Sequence, residues 1–91
     1  LITKFVLKFP GDPSFSQLQS TLEEKNVEEA FRAAHTLKGV AQNLGFTPLY
    51  EATATLTEVL RAGNLPEDDN MMNAVAKEYE RTVAAIEQLN A

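Results

Sequence analysis

The stretch from Asn26 to Gly45, NVEEAFRAAHTLKGVAQNLG, decides the fold and contains the single histidine of the chain. One helix covers it. Asn26 is a good N-cap, Glu29 three residues on is placed to complete a capping box, and Gly45 suits the left-handed position that ends a helix. At about 100° per residue, Ala30, Ala33, Leu37, Val40, Ala41 and Leu44 form an apolar stripe of core-facing width. His35 falls on the opposite side. Lys38 and Gly39, three and four residues later, share its outward stripe, as do Gln42 two turns on and Arg32 one turn before.

The outward face therefore combines an imidazole, an ammonium and a residue with no side chain. A glycine in a helix interior costs about 1 kcal/mol relative to alanine. Gly39 also stands too far before Gly45 to be the cap. Either close helix packing or access to His35 explains it, and its outward direction favours access.

The run AHTLKGVAQNLG resembles the signature of histidine phosphotransfer (HPt) domains, small helical modules that carry a phosphoryl group on histidine between the aspartates of receiver domains. The dense match spans His35 to Gly45, and the helix lengths and loop positions fit the family over most of the chain. The resemblance implies that His35 accepts the phosphoryl group, Lys38 offsets its charge and Gly39 keeps the imidazole accessible. Arg32 and Gln42, on the same stripe, are auxiliary candidates. The chemistry agrees, because imidazole is nucleophilic near neutral pH and phosphoryl transfer depends mainly on positioning and charge balance.

In this family a polar side chain of the neighbouring helix often approaches the histidine. Thr57 matches that position, where many relatives carry Glu or Gln; it is read as auxiliary or as a plain surface threonine. Phe31 and Phe46 are candidates for docking a receiver, with core packing as the alternative for both. The resemblance implies partners that are receiver domains, a sensor histidine kinase or both, with Mg²⁺ carried by the receiver and no cofactor held here. FRAAHTLKG also looks like the N-terminal phosphotransfer segment of chemotaxis-type histidine kinases. A helical interaction domain without phosphoryl chemistry is the third reading, and the intact His35, Lys38 and Gly39 weigh against it.

Composition narrows the class. The 91 residues make one domain, 1–91, able to bury a modest core. The chain starts at Leu1 rather than Met, so it reads as a piece whose first helix is cut short. A net charge of −5 and only eight Lys plus Arg argue against nucleic acid as a partner. With no cysteine there are neither disulfides nor thiolate metal sites. No apolar run approaches the roughly 18 residues of a membrane span, and a soluble cytoplasmic monomer is expected. There is no Gly-rich phosphate loop and no histidine pair for a metal, so an enzyme with its own ATP site is not expected.

Along the chain, Leu1 to Phe9 has helical apolar spacing, although a strand is an alternative reading of so short a piece. The breaker Pro10-Gly11-Asp12-Pro13 offers Asp12 as N-cap of a helix running to about Lys25, with Phe15, Leu18 and Leu22 inward. After Gly45, Thr47 is the expected cap and Pro48 the first helical residue. Leu49, Ala52, Leu56, Val59 and Leu60 then line one face. Pro66 to Asp69 lead into a last helix with its seam at Met72, Val75, Tyr79, Thr82, Ile86 and Leu89. The expected fold is all-α: an antiparallel up-down-up-down four-helix bundle with a short additional N-terminal helix.

Overall fold

The computed structural model describes residues 9–89, and the expected N-terminal helix lies outside them except for its last residue, Phe9. A 3-10 turn at Phe9–Gly11 leads into four helices: α1 Ser14–Glu23, α2 Val27–Leu44, α3 Thr47–Arg61 and α4 Asn70–Leu89. Among the described residues there is no strand. Each helix packs on the next, and α2 has neighbours on two sides, α1 and α3. That shared position explains its composition. Ala30, Ala33, Ala34, Leu37 and Ala41 are all buried, and the alanines let two helices approach one axis. Ala34 falls outside the stripe drawn from the sequence because that stripe assumed one interface, while Val40 and Leu44 are only half-buried.

The helix ends follow a repeated device. At the end of α2, Phe46 N–H donates to Ala41 O (2.8 Å) and Gly45 N–H to Gln42 O (3.2 Å), with Gly45 at φ 80°. This is a Schellman motif, which supplies partners to carbonyls the helix leaves open. The same pair of bonds closes α3 around Gly63 at φ 86°. At the end of α1 the pair recurs with Asn26 to Thr21 (2.9 Å) and Lys25 to Leu22 (3.0 Å), and there the left-handed residue is Lys25, at φ 59°. The first helix therefore stops at Glu23 rather than continuing to Lys25.

At the helix starts, Asn26 Oδ1 accepts from Glu29 N–H (3.2 Å), as its type foretells, whereas at α1 Pro13 takes the cap position expected of Asp12, whose Oδ1 accepts from Ser14 N–H (2.8 Å) from one residue earlier. Two further expectations fail for stated reasons. The capping box at Asn26 is only half made, because the Asn26 N–H is already committed to Thr21 O and the Glu29 carboxylate pairs with Arg32 (3.3 Å). Thr47 does not cap α3 either. Phe46 occupies the cap position without a side-chain bond, and its ring packs edge-on against Phe9 at 5.2 Å, so packing takes the place of capping at this junction.

Leu49, Leu56 and Leu60 of α3 meet Leu37 and the alanines of α2 in one core, which Leu18, Val75 and Ile86 complete. Phe9, 2% exposed, closes one end against Phe46 and Tyr79. Tyr79 also stacks on Phe15 at 4.0 Å. Burial, and secondarily the nearby Asp12 carboxylate, raise the Tyr79 phenol above its ordinary pKa of 10.0.

Candidate functional site

About three turns of α2, from Arg32 to Gln42, carry the outward residues, and α1 and α3 pack against the helix. His35 is exposed near the middle of α2. Among the described residues its imidazole makes no hydrogen bond or ion pair, but it stacks on the ring of Phe31, one turn earlier, with centroids 5.9 Å apart and planes at 25°. Phe31 is half-buried and joins the core edge. Over that ring stands a residue from the neighbouring helix: the Arg61 guanidinium carbon lies 5.8 Å from its centroid.

Lys38 and Gly39 are half-buried and Gln42 is exposed, on the side where the helical spacing put them. Lys38 forms no ion pair among the described residues. Arg32 is engaged locally instead, with Glu29 at 3.3 Å and Glu28 at 3.9 Å, both exposed pairs of small energetic weight. At Gly39 a β-carbon would meet nothing within 4 Å. Helix packing therefore does not require this glycine, and the volume above it is open to whatever approaches His35.

The placement of Thr57 corrects both sequence readings. It is fully buried, so it is no surface threonine, and its hydroxyl donates to Thr53 O at 2.7 Å rather than outward. Thr53 repeats the arrangement on Leu49 O, also at 2.7 Å. Each threonine satisfies its own hydroxyl on the preceding turn and presents methyl and methylene to the core. Phe46 lies just past the C-terminal end of α2, eleven residues after His35, and packs on Phe9, in keeping with its core-packing alternative. Phe31 combines both of its readings, one edge in the core and one face under the imidazole.

No reading of the sequence placed Arg61 at the site. Its approach to Phe31 joins residues thirty positions apart, and nothing local in either helix announces it.

An exposed imidazole held on a helix, with an ammonium one turn away that has no ion-pair partner among the described residues and open space beside it, can attack an electrophile carried by another protein. A family model described as Hpt domain matches residues 12–88. The chain belongs to the Hpt domain family. Histidine phosphotransfer in two-component signalling is accordingly its role, and Hpt domains carry phosphoryl groups rather than acting as catalysts with an ATP site of their own. Comparison with curated proteins and with solved structures gave no match in either case. The match covers all four helices of this Hpt domain nearly end to end. No helix among the described residues is long and apolar enough to cross a membrane, and none of their His, Asp and Glu side chains cluster to hold a metal ion.

Proposed function

We propose that this Hpt domain is a phosphorelay carrier in which His35 takes the phosphoryl group from a receiver phosphoaspartate and passes it to the aspartate of another receiver. The observation that carries the reading is the exposed His35 beside an open Gly39 on α2. An imidazole nitrogen forms the N–P bond as the acyl phosphate P–O bond breaks, and the donor aspartate leaves as carboxylate. The reverse step returns the group. Lys38 balances charge on the transferring oxygens, and the receiver supplies the Mg²⁺.

In this reading the domain acts as a cytoplasmic monomer among receivers and, upstream, a sensor kinase. Short connections between consecutively packed helices support the antiparallel up-down-up-down topology. The testing experiment mixes the domain with phosphorylated receivers and follows label on the protein. Wild type is expected to acquire acid-labile label, whereas His35→Gln, unchanged in helical content, acquires none. Acid-labile label on His35→Gln, or a wild type that no phosphorylated receiver labels, would refute the assignment.

A further inference from the structure

We propose that Arg61 is a positioning residue of the site: its guanidinium over Phe31 holds that ring as the platform on which the His35 imidazole rests. The proposal builds on the carrier reading for its consequence, and on geometry alone for its structural part. Among the described residues the stack on Phe31 at 5.9 Å is the contact that fixes the imidazole plane, since no hydrogen bond reaches it. The neighbouring-helix hydroxyl that could have oriented it, Thr57, points to Thr53 O instead.

Arg61 reaches the same ring from α3, 5.8 Å from its centroid, and also lies 3.6 Å from the exposed Glu58 carboxylate. A guanidinium over an aromatic face is attracted by the ring quadrupole, and its planar fork is stiffer than a lysine stem. Phe31, only half-buried, keeps freedom that this contact removes. Among the described residues the guanidinium over Phe31 is that of Arg61, whereas Arg32 meets Glu28 and Glu29. Arg61 and His35 thus share the Phe31 ring as a common neighbour, through which α3 sets the orientation of a nucleophile on α2. Orientation matters because in-line attack tolerates little misplacement.

The test uses Arg61→Met, Arg61→Lys, Phe31→Leu and the double variant Phe31→Leu/Arg61→Met, each checked for unchanged melting. One histidine in the chain gives one set of imidazole resonances, so the ring can be watched directly. Arg61→Met is expected to shift the His35 ring signals and to lower the transfer rate at saturating receiver about two- to five-fold, the size of an exposed cation–π contact. Arg61→Lys should restore part of both. In the Phe31→Leu background, Arg61→Met should add nothing further, because the two act as one unit.

Equal losses with and without Phe31 would show that Arg61 acts on the phosphoryl group or the partner directly, and would overturn the proposal. Unmoved His35 signals, or a loss confined to apparent receiver affinity, would overturn it as well. If wild type accepted no phosphoryl group, the carrier reading would fall, while the resonance shifts and their non-additivity would still decide the stack.

Discussion

Replacing Gly39 separates what α2 needs for folding from what it needs for function. In a helix interior glycine is about 1 kcal/mol worse than alanine. Overpacking, which commonly costs about 1–3 kcal/mol, is not in play because a β-carbon at this position meets nothing within 4 Å. Gly39→Ala should therefore stabilise the domain by about 1 kcal/mol, a rise of roughly 4–8 °C in Tm for a domain of this size. Gly39→Gln should gain slightly less, since glutamine ranks just below alanine as a helix former. Phosphotransfer should move the opposite way. The donor phosphorus must come within about 3–3.5 Å of the imidazole, and misplacement by about 1 Å can cost on the order of 100-fold. Glutamine one turn from His35 should lower transfer on that scale, while alanine, adding one carbon, should lower it far less. Thermal melting and single-turnover labelling on the same samples measure both quantities. A lower Tm for Gly39→Ala would refute the packing argument; a full transfer rate in Gly39→Gln would refute the access argument.

Lys38→Ala should slow transfer or shorten the lifetime of the phosphohistidine up to about five-fold without abolishing acceptance, the weight of one exposed charge; unchanged rates in both directions would make it a bystander. Lys25→Gly should stabilise the domain by about 0.5–1 kcal/mol, because Lys25 holds a left-handed conformation at φ 59° that glycine adopts freely, and a fall in the urea midpoint would contradict this. Tyr79 has its folded pKa raised above 10.0, so with rising pH the unfolded chain loses the phenolic proton first. The stability tied to that proton is full below pH 10.0 and drains away as pH climbs toward the folded value. Tyr79→Phe should remove that part of the alkaline loss, and a wild-type minus variant difference that stays flat from about pH 9 to about pH 11 would be inconsistent with it.

The helices of this fold were legible where one residue carries one local signal. Asn26, Gly45 and the Leu37 stripe each meet a requirement of the backbone within a turn of themselves, and each stands where its type places it. Lys25 was not legible, because its left-handed turn is imposed by the α1–α2 connection against its own preference. The burial of Thr57 was hidden by reading threonine as polar. The signal existed: Leu49, Thr53, Leu56, Thr57 and Leu60 follow one three-and-four spacing, and a threonine in a helix can satisfy its hydroxyl on the turn before. At the site, His35, Lys38, Gly39 and Gln42 share one helix and were grouped by periodicity alone. Arg61 reaches that group only through the packing of α3 on α2, a distance no spacing within either helix encodes.

The single histidine on one face of α2 has a kinetic consequence for a carrier. In the proposed relay, donor and acceptor receivers both reach His35, so they exclude one another, and every handover includes a complete departure. Tight binding then becomes a handicap. With an association rate constant of about 10⁶ M⁻¹s⁻¹, a micromolar complex releases its partner in about one second, whereas a nanomolar complex would hold it for roughly a quarter of an hour. In the proposed relay, release of one receiver precedes engagement of the next, so a long-lived complex at the His35 face would slow the handover.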